Sequence, residues 1–517
     1  MYYLRLKTTL SLLLLTNLAF SKENPTYSIV DTGQSNYYNN NSYSTKPNKD
    51  DAYFGQDASY LGFQENYSNN KDGTISDNVT GLMWQKSISS KLSWNEAVSY
   101  ANSSKLAGYS DWRIPTIKEL YSLINFSGVT GTGSSKSTSV PSNAKPYINT
   151  SYFDFEYSPT NRYIDAQYWT QTDYVSTTMN GAKTFFGVNF ADGRIKGYPK
   201  YNKGNRGSTE FYLRLVRGNT LYGENGFRDN NDGSIYDEGT QLTWMKYDSG
   251  DDVFKSLPIK GALNWEKSLS FCENINYAES NNWRLPNAKE LQSIVDYTKS
   301  PDSTNSAAID GLFEVTTIRN NNGQIDYPFY WTSTTHLDGH QLGNSAVYIA
   351  FGRAMGYMSD RRTNTKKLLD VHGAGAQRSD PKSGDASKFQ FGRGPQGDVI
   401  AINNYVRCVR DETTKINTSS NYEVKSSNTS NRPARPNINQ NFQQNESFSR
   451  SERPNSESSN ENSGHLAMVL NRFDKNSDKR ISYDEAPRRM KENFDRHDEN
   501  SDGYLDMNEL ASLPGPR

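Results

Sequence analysis

The sequence predicts an α+β fold built twice, followed by a small helical module. Three observations carry that expectation. The stretch Trp112-Arg113-Ile114-Pro115-Thr116-Ile117-Lys118-Glu119-Leu120 returns as Trp283-Arg284-Leu285-Pro286-Asn287-Ala288-Lys289-Glu290-Leu291. All eight tryptophans sit at matched positions, Trp84, Trp94, Trp112 and Trp169 against Trp244, Trp265, Trp283 and Trp331. Self-similarity this extended marks a duplicated domain. The last stretch, residues 463–517, carries two runs of regularly spaced oxygen-bearing side chains.

Within each copy the repeated stretch defines a sharp helix start. Proline keeps the residue before it extended, so Ile114 and Leu285 end a strand-like entry. Thr116 and Asn287 then stand as N-caps, with Glu119 and Glu290 at capping-box spacing. Ile117, Leu120 and Ile124 follow at helical spacing, as do Leu291, Ile294 and Val295 in the second copy. Capping explains both glutamates without a catalytic role. An earlier helix begins at Ser93, whose capping partner is Glu96. Short β-prone runs surround these helices, at Ile75, at Leu82-Met83-Trp84 and at Tyr168-Trp169-Thr170, with matching runs in copy two. The Asp72-Gly73 turn reads as a hairpin, since no distal glutamate stands where calcium needs one. A tryptophan set that repeats with the fold reads as core before it reads as a sugar-stacking surface.

The copies span residues 61–218 and 222–411. A polar lead, residues 22–60, has no usable period and reads as disordered. Residues 412–462 read as a Ser/Asn-rich linker. Copy one holds a long loop from Asn125 to Asp165. Copy two carries insertions near Ser249–Lys260 and Arg361–Gln396. The second insertion mixes glycines with His372, Arg378 and Asp380, which makes these three the candidate ligand-binding residues; an ordered surface loop is the alternative. His336 and His340 are four apart, but without a third ligand nearby they make a poor zinc site.

Lysine plus arginine (57) nearly balances aspartate plus glutamate (58), which excludes the electrostatic footprint of a nucleic-acid binder. Residues 1–21 read as a signal peptide: Arg5 and Lys7, then an apolar run too short to span a bilayer, then Ala19 and Ser21. No later run is long enough to span a membrane. The expectation is an exported protein, periplasmic, secreted or at the cell surface. Export favours a disulfide between the two cysteines, Cys272 and Cys408. They align with Ala101 and Leu215, so both are absent together from copy one; a free catalytic thiol is the alternative.

The repeated motifs, Asp72-Gly73-Thr74 through Leu82-Met83-Trp84, Trp112 to Leu120, Tyr168-Trp169-Thr170 and the closing Tyr405-Val406-Arg407-Cys408-Val409-Arg410, resemble the Lcl C-terminal domain-like family. The resemblance implies a C-type-lectin-like fold in each copy: two helices, a small twisted antiparallel sheet and a long loop region that often carries ligands. It also fits a bridge from the first helix, at Cys272, to the last strand, at Cys408. The sugar-and-calcium tripeptides of the lectins are absent, so calcium-dependent sugar binding does not carry over. The closely spaced active cysteines of the related formylglycine-generating fold are absent too.

Calcium needs six to eight oxygens, which a twelve-residue loop supplies from positions 1, 3, 5, 7, 9 and 12. Asp474, Asn476, Asp478, the Arg480 carbonyl, Ser482 and Glu485 fit one loop. Asp498, Asn500, Asp502, the Tyr504 carbonyl, Asp506 and Glu509 fit a second. Leu466, Val469, Leu470 and Phe473 form the apolar face of an entering helix. The module resembles an EF-hand pair with calcium as cofactor. Loop two has four acidic ligands and Gly503 at its turn; loop one has three, with Lys479 there, so loop two is expected to bind more tightly. The loops start 24 residues apart. A single helix of about 12 residues between them spans roughly 18 Å, so the loops are not expected to pair.

The function expected is therefore a non-enzymatic, exported calcium-binding protein that binds an extracellular glycan or protein. The alternatives are a secreted hydrolase-like enzyme with its site in the long loops, or a structural surface protein that calcium only rigidifies.

Overall fold

The computed structural model describes residues 25–132, 136–201, 209–339, 341–360, 363, 365–411, 415–416, 480–482, 486 and 504–505. These fall in two units, residues 1–419 and 420–517. The first is α+β, with mostly antiparallel sheet and few helices.

Each copy places two short helices beside a four-stranded antiparallel sheet. In copy one the helices are α1 (Trp94–Ser103) and α2 (Ile117–Ser122); in copy two they are α3 (Trp265–Asn274) and α4 (Ala288–Ser293). The capping boxes form as the sequence requires, at Ser93/Glu96, Thr116/Glu119 and Asn287/Glu290. The repeated arginine completes the motif. Arg113 grips both carboxylate oxygens of Glu119 at 2.6 and 2.5 Å, and Arg284 grips Glu290 at 2.7 and 2.6 Å. One carboxylate thus closes the helix N-terminus and anchors the preceding strand, a charge-assisted fork of the stronger kind. The four-stranded sheets run Val216–Gly218, Leu82–Gln85, Thr74–Asp77, Tyr67–Asn69 in copy one and Phe227–Asp229, Ser234–Asp237, Leu242–Met245, Val409–Arg410 in copy two. The Asp72-Gly73 turn is a hairpin turn: Gly73 has φ +90° and the Asp72 carboxylate accepts from Thr74 N at 3.0 Å.

A third, seven-stranded sheet joins the copies. Its order is Phe329–His336, Ser345–Ala350, Gln377–Pro381, Arg194–Pro199, Ala182–Asn189, Gln167–Tyr168, with Asp173–Thr178 also pairing to Ala182–Asn189. The seam lies where Ile195 faces Gln377, whose side-chain oxygen accepts from Ile195 N at 3.1 Å. These two residues are equivalent. Ile195 pairs with Val188 in copy one, and Gln377 pairs with Ile349 in copy two. By sequence, however, Arg194 to Tyr198 matches Arg353 to Tyr357. In copy two that matched stretch enters a separate hairpin, Met355–Asp360 with Thr365–Asp370, and a strand from the insertion takes its place in the sheet. Helices α2 and α4 also pack together, and the motif lysines bridge the copies. Lys118 Nζ donates to Gly223 O at 2.9 Å, and Lys289 Nζ donates to Ser122 O at 2.8 Å and Asp31 O at 3.0 Å.

The core runs through both copies. Seven of the eight tryptophans are buried, and Trp94 alone is half-buried. Arg214 and Arg407 are fully buried at matched positions, two residues before the last strand of each copy. Arg214 donates to the carbonyls of Gln85, Lys86 and Asp154, and Arg407 to those of Met245, Lys246 and Glu314. The long loop of copy one is part of this interior, with Tyr147, Phe153 and Tyr163 buried. Cys272 and Cys408 are bonded, with Cα atoms 5.7 Å apart.

Two expectations are corrected. From residue 25 onward the polar lead is ordered along copy two, because its polar side chains find buried partners there. Gln34 bonds both backbone groups of Thr335 at 2.8 Å, the Thr32 and Thr334 hydroxyls donate to Asp57, and Tyr60 bonds Glu273 at 2.7 Å. Hydrophobic period reports helix and strand faces, not a strap held by side-chain hydrogen bonds. In the second unit, Ile481–Ser482 and Tyr504–Leu505 do pair, with Ile481 opposite Leu505. An 18 Å helix separates its own two ends. Helix length therefore does not fix the distance between Ile481 and Leu505, which lie opposite one another.

Candidate functional site

The structure brings two of the three candidate residues together and supplies a partner that sequence reading missed. His372 follows the Thr365–Asp370 strand, and Arg378 and Asp380 stand two apart on the Gln377–Pro381 strand, at the seam between the copies. His372 Nε2 lies 3.0 Å from Asp398 Oδ1, and the Arg378 guanidinium bonds the other oxygen of the same carboxylate. Asp380 serves elsewhere, accepting from Ala401 N at 2.8 Å. Asp398 follows the Gly-rich run Gly394 to Gly397, 26 residues beyond His372. No local spacing signals that contact.

Burial sets the chemistry of this cluster. It pushes the His372 imidazole down to about 4, against the pull of Asp398, so the ring is neutral at neutral pH. Burial alone would raise the Asp398 carboxyl, but Arg378 and His372 outweigh it and hold it well below the usual carboxylate range. Burial pushes the Asp380 carboxyl up to about 8. A neutral His372 therefore donates through Nε2 to an ionised Asp398, and among the described residues its Nδ1 has no partner. Gly197 N of copy one donates to the His372 carbonyl at 3.1 Å, and a Cβ on Gly197 would stand 2.4 Å from that oxygen. The close approach of the copies therefore requires glycine there.

A second polar group lies along the same seam. His336 is fully buried, with Nδ1 2.9 Å from Ser379 Oγ and Nε2 2.9 Å from the Asp192 carbonyl. Burial, aided by Arg194, pushes His336 down to about 3. Both nitrogens are occupied, which removes it as a zinc ligand, and among the described residues no cluster of three His, Cys, Asp or Glu is placed to hold a metal. A cleft of about 90 Å³ beside the polar lead is lined by Asp31, Glu290 and Asp411. Glu290 and Asp411 are both bound to Arg284, and Asp31 accepts from Gly33 N and Gly62 N.

Of the proposed calcium ligands, Arg480, Ser482 and Tyr504 are described, in or beside the paired strands. Asp474, Asn476, Asp478, Glu485, Asp498, Asn500, Asp502, Asp506 and Glu509 lie outside the described residues, as do residues 1–21 and most of the linker.

Taken together, the fold is a duplicated α+β body whose copies are knit by a buried polar seam. The Lcl C-terminal domain family model matches residues 73–217 and again residues 233–371, more than half of the chain. The chain belongs to the Lcl C-terminal domain family and carries the domain in tandem. No curated protein and no solved structure matches it. Among the described residues no helix is long and apolar enough to cross a membrane.

Proposed function

We propose that this chain is an exported, non-enzymatic recognition protein: two fused C-type-lectin-like domains that bind an extracellular glycan or protein, with an EF-hand pair that binds calcium at its C-terminal end. The observation that carries the calcium reading is the pairing of Ile481 with Leu505. Each is residue eight of its twelve-residue loop, and both are fully buried. The Arg480 and Tyr504 carbonyls, at position seven, therefore precede the paired residues in both loops. Ala486 N donates to Ser482 O at 3.0 Å, the turn expected as a helix leaves loop one. A hard cation would be held there by oxygen ligands: carboxylates, side-chain and main-chain carbonyls, and the Ser482 hydroxyl.

The disulfide supports an oxidising, exported setting. The seam supports the non-enzymatic reading. His336 contacts Ser379, but a base driven down to about 3 takes no proton from a hydroxyl at neutral pH. His372 is spent on Asp398.

Calorimetric titration of the intact protein with calcium tests the metal assignment. Glu509→Gln is expected to abolish the tighter site and Glu485→Gln the weaker one, each by at least about tenfold in affinity. No heat at millimolar calcium, or a tighter site that survives Glu509→Gln, overturns it.

A further inference from the structure

The polar lead covers one face of copy two whose counterpart on copy one no described residue covers in the same way. On copy two, Trp265 is fully buried and its indole N–H donates to Thr332 O at 2.8 Å. Tyr53 from the lead stacks on it, with centroids 6.3 Å apart and planes at 29°. Lys382 Nζ sits 3.8 Å above the ring and donates to Thr335 Oγ1 and to the Asn39 carbonyl of the lead. Gln34 meanwhile takes both backbone groups of Thr335.

Among the described residues, copy one repeats the platform without the cover. Lys200, the counterpart of Lys382, lies 3.9 Å above Trp94, the counterpart of Trp265. Asp173 replaces Thr335 and pairs with Lys200 at 2.6 Å, its side chain exposed. Trp94 is half-buried; among the described residues its only ring partner is Trp169, and no acceptor meets its indole N–H. Along the same helix Val98 is half-buried where Leu269 is fully buried, and Tyr100 is 37 % exposed where Phe271 is 4 % exposed. Tyr201, one residue past Lys200, is 55 % exposed.

We infer that this face of copy one docks an extended, tyrosine-bearing polypeptide segment from another molecule, in the manner of residues 34–60 on copy two. The occupant is argued from the molecule itself: the matched face already holds a polypeptide, seated by a tyrosine on the tryptophan and a main-chain carbonyl on the lysine. The partner supplies a ring to Trp94 and a carbonyl to Lys200. A half-exposed tryptophan with a cation held over its ring by an exposed carboxylate has the makeup of an interface centre. This deepens the recognition reading by naming a protein partner class, and it stands or falls independently of the calcium titration.

The test uses the full chain and a labelled synthetic peptide of residues 34–60, followed by anisotropy. Saturable binding is expected, weakened about tenfold or more by Trp94→Ala in the protein. Tyr53→Ala in the peptide is expected to weaken it similarly, and that change leaves the protein untouched, so misfolding is not a confounder. Absence of saturable binding up to about 1 mM overturns the inference. So does binding indifferent to both changes. Displacement of the peptide by neutral oligosaccharides that quench Trp94 reassigns the face to sugars and overturns it as well.

Discussion

Where the first helix meets the last strand, copy one places Ala101 and Leu215 in an apolar cluster, and copy two bonds Cys272 to Cys408. At the buried arginine, both copies offer backbone carbonyls, and copy two adds the Asp248 carboxylate 4.0 Å from Arg407. Over the helix tryptophan, copy one leaves the ring half open and copy two straps it down. At these three places the same backbone plan is thus held by apolar packing and carbonyls in copy one, and by a disulfide, a nearby carboxylate and the lead in copy two. A fold does not dictate its fasteners. Copy two also carries the lead and two insertions.

Three interventions break or sharpen this comparison. The disulfide closes a separation of 136 residues, worth about 4–5 kcal/mol in the chain-entropy account. Replacing both cysteines with serine is expected to lose most of that in urea unfolding. The pair Cys272→Ala and Cys408→Leu, which copies the first copy's solution, is expected to lose less. Equal losses would mean the apolar pair is not a working substitute.

Next in size is the arginine. Arg407→Met strands a buried carboxylate, Asp248, which already accepts from Tyr330 at 2.5 Å and Thr316 at 2.6 Å. Its expected cost is roughly 3–5 kcal/mol. Arg214→Met strands carbonyls but no buried carboxylate among the described residues, at roughly 1–3 kcal/mol. Denaturant midpoints showing the reverse order would remove Asp248 from the account.

The smallest effect is the pH response of the strap. Burial, and then the neighbouring Asp31, push the Asp57 carboxyl up to about 7 from its ordinary 3.8. A raised folded value favours the protonated form. Its stabilisation is complete below about 4 and is lost as pH rises through 7. Between pH 5 and pH 8 the native protein is expected to lose roughly 1–4 kcal/mol relative to Asp57→Asn. Parallel melting curves for the two proteins at both pH values would exclude a buried, protonated Asp57.

What the sequence made legible was local or duplicated. Glu119 and Glu290 were readable as caps because N-cap and N3 stand three residues apart. Cys272 and Cys408 were readable as a pair because both vanish from copy one. Legibility failed where contact depends on long-range closure. Asp398 reaches His372 across an insertion, and Asp57 reaches Thr334 across 277 residues. The substitution of Gln377–Pro381 for the sequence-matched strand was hidden because the displaced stretch, Arg353 to Tyr357, keeps its motif while changing its neighbours. The pairing of Ile481 with Leu505 is not legible from helix length, which measures the separation of a helix's own ends.

The strand junction at Ile195 and Gln377 carries an implication for ancestry. Equivalent residues meet there in antiparallel fashion, as they would about a dyad. A forebear with one copy would have offered the same edge to its twin, joining two molecules where one chain now suffices.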